Sequence, residues 1–211
     1  MTTTTMWTQS REAPTLLGRD RLLRALALAQ SCAALSAGAT SALLVVLAAQ
    51  HLHTTGIGYG LLLSAIGVGA FTGPLLLTRP SPRVRSPGVV FGAFGLRGLV
   101  DLVLATVTAL PAAVAASAFY GLGTSTGNVT FATLIQTHVP PELRGRVFSA
   151  FDLIWQSMRL VSLLLGGYLA DTLGIRALYY TGGALLLVAA LTGLSAARPQ
   201  RGEDHDQERA A

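Results

Sequence analysis

Four charged side chains lie inside long apolar stretches of the sequence: Arg97, Asp101, Asp152 and Arg159. A charge at the depth of a bilayer core is costly, so such a residue is kept where it faces a partner, water or the interior of a helix bundle. The four-residue spacing places Arg97 and Asp101 on one helical face, where they can pair directly. Asp152 and Arg159, seven residues apart, also share a face.

Two interpretations of these charges are open. In the first, they line a polar translocation pathway in which Asp101 changes protonation and Arg97 or Arg159 holds an anionic group. In the second, Arg97 and Asp101 form a buried structural salt bridge that locks helices together. Asp152 lies close to the end of its stretch, so it is also consistent with a simple interfacial position.

Uncharged polar residues in the same apolar stretches extend this set. Gln30, Asn128, Trp155 and Gln156 are further candidates for a cavity lining. A lone polar residue in a membrane span also commonly bonds to a neighbouring helix. A large aromatic near a span end also serves as an anchor. Each residue therefore has a structural alternative.

One pattern superficially resembles that of a serine hydrolase. Gly123-Thr124-Ser125-Thr126-Gly127 matches G-x-S-x-G, but a nucleophilic serine needs a base within hydrogen-bond reach. His138, thirteen residues further on, would lie about 20 Å away along a helix. The pattern therefore indicates two packing glycines, and we expect no enzyme. The single cysteine, Cys32, offers no metal-ligand spacing and no disulfide, so neither a metal nor a cofactor is predicted.

The composition indicates the elements that position these residues. Of 211 residues, 51% are hydrophobic and 12% are charged, about half the charged share of a soluble domain. The net charge of +5 does not indicate nucleic-acid binding, because the arginines sit in short clusters between apolar runs. An all-α integral membrane protein is predicted, since continuous rather than alternating apolar runs exclude a barrel.

Six stretches reach the length of about 20 residues needed to cross a bilayer core. They are Ala25 to Gln50, Ile57 to Thr78, Gly88 to Leu110, Ala112 to Ile135, Phe148 to Ala170, and Ala177 to Ala196. Residues 25–196 are therefore predicted to form one six-helix transmembrane domain. Residues 1–24 and 197–211 are predicted to be polar cytoplasmic tails.

The arginines predict the orientation of the bundle. Twelve of them fall on one side of the predicted spans and Arg176 alone on the other. The larger set is Arg11, Arg19, Arg21, Arg24, Arg79, Arg83, Arg85, Arg144, Arg146, Arg198, Arg201 and Arg209. Because arginines accumulate on the cytoplasmic side, both termini are predicted to be cytoplasmic. Tyr179 and Tyr180 are then expected at the outer interface.

Glycine spacing predicts close helix packing. Gly69 with Gly73, and Gly123 with Gly127, each form a small-xxx-small pair that lets helix backbones approach. Pro74 is expected to kink the second span, because proline removes an internal hydrogen bond.

The segment from Leu134 to Val147 resembles a cytoplasmic loop of a known family. Its sequence, LIQTHVPPELRGRV, is similar to the connection between helices ten and eleven of major facilitator superfamily exporters, most of all the drug-efflux branch with macrolide and siderophore exporters. The motif residues are Pro140, Glu142, Arg144, Gly145 and Arg146. Arg144 and Arg146 are expected just past the C-terminal carbonyls of the fourth span, and Gly145 is expected to permit close approach to a neighbouring helix.

Two further segments extend the resemblance over about residues 20 to 196. Gly166 to Tyr180 is similar to the family's helix eleven to twelve connection, and Gly56 to Gly73 to its helix eight. The loop 79–87 departs from the family pattern, since it carries Arg83 and Arg85 but no acid. The resemblance implies the C-terminal six-helix half of a twelve-helix transporter.

The resemblance implies a component of a secondary, proton-coupled exporter of a drug-like or siderophore-like small molecule in the plasma membrane. Since the substrate site of such transporters lies between two six-helix halves, a homodimer or a separate N-terminal half is the expected partner. A non-transporting membrane interaction or regulatory protein, or an inactive transporter remnant, is the alternative.

Overall fold

The computed structural model describes residues 20–77 and 86–197. The predicted tails beyond this part, residues 1–19 and 198–211, lie outside the described residues, and so does the arginine-containing segment 78–85. The predicted tail ended at residue 24, but the first helix already begins at Arg21.

Within the described ranges the chain forms seven α-helices and one π-helical segment. They are α1 (Arg21–Ala42), α2 (Leu44–Val46), the π-helical segment Leu47–His51, α3 (Gly56–Leu77), α4 (Pro87–Thr106), α5 (Leu110–His138), α6 (Pro141–Leu173) and α7 (Ile175–Ala197). The first predicted span corresponds to α1, α2 and the π-helical segment together, and each other predicted span corresponds to one helix.

The helix ends follow from local side-chain chemistry. The Asp20 carboxylate caps α1 by accepting hydrogen bonds from the amides of Leu22, at 2.7 Å, and Leu23, at 3.1 Å. Ser86 caps α4 by accepting from the amide of Gly88 at 3.2 Å. These side chains supply partners for N–H groups that have none inside the helix. Gly174 ends α6 with φ 83°, a conformation that favours glycine.

Several predicted boundaries differ from the structure by a few residues. Helix α4 ends at Thr106 rather than Leu110, and α6 begins at Pro141 rather than Phe148. Proline fits the first turn of a helix because its missing N–H has no intrahelical partner there. The polar residues after Pro141 therefore extend α6 beyond its apolar part, which is the part that a hydropathy pattern detects.

Five of the described helices have the length and apolar character to cross a membrane: α1, α3, α4, α6 and α7. The protein is thus an all-α membrane protein. The fourth predicted span, α5, has 29 residues but lower hydropathy. It carries many hydroxyl and amide side chains, and it packs between α3 and α4. Two of its hydroxyl side chains, Ser117 and Thr130, are buried in the bundle, and a sixth membrane-crossing helix stays a prediction.

Small residues allow the helices to pack backbone to backbone. A Cβ at Gly69 of α3 would meet the Ala118 carbonyl of α5, and a Cβ at Gly121 of α5 would meet the Ile66 carbonyl of α3. The predicted pairs contribute as expected, since Gly73 also faces α5. Gly123 and Gly127 both face Ala93 of α4; the G-x-S-x-G pattern thus contains two packing glycines.

The bundle has two apolar core clusters, one toward each end. The cluster at the end where α1 begins, called the Arg21 end, includes Leu23, Leu26, Phe91, Phe94, Leu134, Ile135, Val147 and Phe151. The cluster at the opposite end, called the His51 end, includes Leu44, Leu47, Leu62, Val100, Leu104, Ile175 and Tyr179. The buried charges of α4 lie where these clusters meet, since Arg97 falls between Phe94 and Val100 in the sequence.

Substituting alanine at Gly69 tests the close contact between α3 and α5. We expect Gly69→Ala to lower the free energy of unfolding by about 1–3 kcal/mol, because the new Cβ overlaps backbone atoms of Ala118 that cannot move alone. Gly67→Ala is the matched control, because a Cβ there meets nothing within 4 Å. The measurement is thermal or denaturant unfolding in detergent. Equal stability of the two variants would contradict the packing described.

Candidate functional site

A cavity of about 490 Å³ lies between α1, α4, α5 and α6. We call it the large cavity. Its lining residues are Gln30, Ala37, Ser41, Arg97, Tyr120, Thr124, Asn128, Phe131, Phe148, Phe151, Asp152, Trp155 and Arg159. Polar, charged and aromatic side chains therefore share one space inside an otherwise apolar bundle, an arrangement typical of a ligand site.

Most of the residues selected from the sequence meet in this cavity. Gln30 from α1, Arg97 from α4, Asn128 from α5, and Trp155 and Arg159 from α6 all line it. The two others lie elsewhere. Asp101 is buried on the far side of Arg97 and lines a different chamber, and Gln156 is exposed and lines neither space.

Arg97 is the most deeply buried charge of the large cavity, with 4% of its surface exposed. Its terminal Nη2 donates to the Tyr120 hydroxyl at 3.1 Å, and its guanidinium carbon lies 5.0 Å from the centre of the same ring. Tyr120 thus holds the cation by a hydrogen bond and a cation–π contact. The Nε atom is buried without a hydrogen-bond partner, so the guanidinium keeps one donor free.

Asp101 has a different set of contacts. It is 1% exposed, and its Oδ2 accepts from the Ser36 hydroxyl of α1 at 3.1 Å. Its Oδ1 is buried without a hydrogen-bond partner. Among the described residues Arg97 and Asp101 form no direct ion pair, which favours the pathway interpretation over the structural salt bridge. The two side chains lie one turn apart on α4 but bind different neighbours. Arg97 binds Tyr120 of α5, and Asp101 binds Ser36 of α1.

Asp101 opens instead onto a second space of about 240 Å³, which we call the small chamber. Apolar side chains from α2, α3 and α4 form most of its lining, including Leu44, Leu63 and Leu104. Two residues, Ser41 and Tyr120, line both the small chamber and the large cavity. Tyr120 therefore lies in the wall between a space lined by Arg97 and a space lined by Asp101.

The first span is irregular beside these spaces, since α1 ends at Ala42 and is followed by the short α2 and the π-helical segment. The Ser162 hydroxyl of α6 donates to the Leu35 carbonyl at 2.5 Å and accepts from the Ala39 amide at 2.9 Å. These two backbone groups form one i→i−4 step of α1, and a side chain inserted into such a step is a known cause of bending. Eight residues later the helix gives way to the π-helical segment Leu47–His51, a form that is frequent at functional sites.

The segment that resembles a loop is mostly helical. Only Val139 and Pro140 separate α5 from α6, and Glu142, Arg144, Gly145 and Arg146 lie in the first turns of α6. The Arg144 Nε donates to the Val139 carbonyl at 3.0 Å, as expected for an arginine past the end of the fourth span. The expectation for Gly145 is wrong, since a Cβ there would meet nothing within 4 Å.

Three residues near the site were missed or misplaced by sequence reasoning. Tyr120 and Ser36 bind the two buried charges, yet they lie 23 and 65 residues from them. Nothing in local sequence spacing indicates such contacts. Tyr179, predicted at the outer interface, is 1% exposed, and its hydroxyl donates to the Thr40 carbonyl at 2.8 Å. A position near a span end predicts an interfacial tyrosine, but packing of α7 against α1 places this one inside.

Across residues 20–77 and 86–197, no group of three or more His, Cys, Asp or Glu side chains comes together in a way that could hold a metal ion. What the described site does offer is hydrogen bonds, aromatic contacts and two buried charges in the interior of a membrane bundle.

A polar cavity at the depth of a membrane-embedded helix bundle is the arrangement of a membrane transporter. Comparison with known proteins agrees with this class. The family model of the Major Facilitator Superfamily matches residues 26–211, and the chain belongs to this family.

A curated relative supports the same membership. The chain is 27% identical over 148 residues to the uncharacterized MFS-type transporter YfmI of Bacillus subtilis (strain 168). The matched region covers 69% of this chain but 36% of the relative. The matched region thus spans little more than a third of the relative's length.

The missing ion pair leads to a prediction about Asp101. We expect Asp101→Asn to change the free energy of unfolding by less than about 1.5 kcal/mol, because the amide oxygen still accepts from Ser36 and only one hydrogen bond is affected. A buried ion pair would instead cost about 3–5 kcal/mol when one partner is removed. Unfolding of Asp101→Asn, Arg97→Gln and the double variant is measured in detergent. Loss of stability in each single variant with recovery in the double variant would restore the ion-pair interpretation.

Proposed function

We propose that this chain supplies one side of the substrate pathway of a secondary, proton-coupled exporter of small molecules in the plasma membrane. The observation that carries the proposal is the large cavity, where Gln30, Arg97, Asn128 and Trp155 from four helices line one space. A drug-like or siderophore-like compound fits this lining, since such ligands combine apolar area with a few polar groups.

The proposal gives Arg97 and Asp101 separate roles. Arg97 lines the large cavity and its guanidinium has no ion-pair partner among the described residues, so it binds substrate. Asp101 is buried in the small chamber with Oδ1 unpartnered, so it can take up a proton without breaking an ion pair. Tyr120 contacts Arg97 and lines both spaces, and it provides a physical link between the proton site and the substrate site.

The shape of the large cavity is an argument for a partner subunit. Its lining residues Asn128, Asp152 and Arg159 are exposed, so the cavity is open on one side. In transporters of this kind the substrate site lies between two repeats. A second six-helix unit, either another copy of this chain or a separate N-terminal half, would close the open side.

The role of Asp101 is tested by transport. We expect Asp101→Asn to abolish proton-driven efflux, because the amide keeps the shape of the side chain but does not titrate. The chain is expressed with the partner half that it requires, and accumulation of a test compound is measured with and without a proton gradient. Asp171→Asn is the control, since Asp171 is exposed and lines neither space.

Normal efflux by folded Asp101→Asn protein would remove Asp101 from the mechanism and shift attention to Arg159. Absence of efflux from a folded, assembled wild-type protein would favour a non-transporting, regulatory role for the chain.

The proposed orientation has its own test. Green fluorescent protein fused to either terminus should fluoresce, and alkaline phosphatase fused there should be inactive, because the arginine asymmetry favours cytoplasmic ends. Phosphatase fused after Gly174, between α6 and α7, should be active. Active phosphatase at the termini, or inactive phosphatase after Gly174, would overturn the topology.

A further inference from the structure

We infer that the large cavity selects aromatic organic anions, such as arylalkyl carboxylates, over cations and neutral compounds of the same shape. The inference rests on the proposed function only in taking this cavity as the substrate site. Its basis is the sign and placement of the charges that line the cavity, together with the rings that surround them.

The charged lining of the large cavity has a positive excess. Two guanidinium groups, of Arg97 and Arg159, face it, and Asp152 carries the one carboxylate among the described lining residues. Arg159 and Asp152 are exposed, whereas Arg97 is 4% exposed. Charge in a low-dielectric interior acts more strongly than charge at a wet surface, so Arg97 dominates the selection.

The charge of Arg97 is not cancelled by a bonded acid. Asp101, the nearest acid along α4, faces the small chamber and binds Ser36 instead. The contact that Arg97 does make, with Tyr120, leaves its charge in place. A buried cation without an ion-pair partner is costly, and a carboxylate bound in the cavity that Arg97 lines would relieve that cost.

The aromatic side chains determine the remainder of the ligand. Phe131 and Phe151 meet edge to face, with ring centres 4.9 Å apart, and Phe148 and Trp155 line the same space. Aromatic rings favour offset or edge-to-face contact with another ring. The volume of about 490 Å³ lies within the range of roughly 300–1,000 Å³ typical of pockets for drug-sized ligands. A compound with one ring and one carboxylate satisfies both parts of the lining.

Binding is measured through Trp155, which lines the cavity. The sequence has two tryptophans, so Trp7→Phe leaves Trp155 as the reporter in the purified full chain. Three ligands of one shape are titrated: 3-phenylpropanoate, 3-phenylpropanamide and 3-phenylpropylammonium. We expect the carboxylate to change Trp155 fluorescence with a dissociation constant at least tenfold lower than that of either other compound. Inorganic phosphate should change nothing, because it has no ring.

Variants then test which cation is responsible. Arg97→Gln should weaken carboxylate binding tenfold or more, and Arg159→Gln should weaken it less. Arg21→Gln is the matched control, since Arg21 is exposed at the start of α1, outside the cavity. The ligand series on the otherwise unaltered chain decides the inference even if Arg97→Gln does not fold.

The outcomes separate this inference from the proposed function. Equal or tighter binding of the ammonium or amide, no binding of the carboxylate, or unchanged carboxylate binding by folded Arg97→Gln protein would overturn the anion preference. Carboxylate binding without efflux by the assembled protein would overturn the transport proposal alone. Efflux restricted to cationic or neutral compounds would leave transport standing and remove the anion preference.

Discussion

A bilayer core supplies no hydrogen-bond partners, and this constraint governs both the backbone and the buried side chains of this protein. The backbone satisfies it by forming helices along nearly the whole described chain. Hydroxyl side chains such as Thr40 satisfy it by donating to a carbonyl of their own helix, whereas the two buried charges of α4 find partners on other helices. Arg97 meets Tyr120, and Asp101 meets Ser36. The two buried charges are therefore accommodated where α1, α4 and α5 come together.

That meeting depends on small residues. Gly69 and Gly121 let the backbones of α3 and α5 come into contact. Gly98 of α4 and Gly183 of α7 do the same for α4 and α7. Close approach of these pairs leaves wider spacing elsewhere, and the large cavity and the small chamber occupy that space. The two apolar clusters toward the bundle ends fix the helices on either side of the polar level.

The bundle thus combines a rigid frame with local irregularity at the site. Ser162 inserts its hydroxyl between Leu35 and Ala39 of α1, and a π-helical segment follows in the same span. Helix termini and interrupted helices expose backbone groups that only a protein-lined or water-lined space can satisfy. Membership of the Major Facilitator Superfamily places this arrangement among membrane transporters, and Arg97 and Asp101 line two separate spaces within it.

The sequence by itself determined the membrane class, the approximate helices and part of the cavity lining, because hydropathy, proline and glycine act locally and a charge in a span must face inward. It also predicted the packing faces of Gly73 and Gly127. Only the tertiary structure decided which partners the charges bind. Arg97 and Asp101 have the spacing of an ion pair, but Tyr120 and Ser36 lie on other helices, and no local pattern records contacts 23 or 65 residues apart. The same reason explains Tyr179, which α1 buries, and Gly145, which no helix approaches.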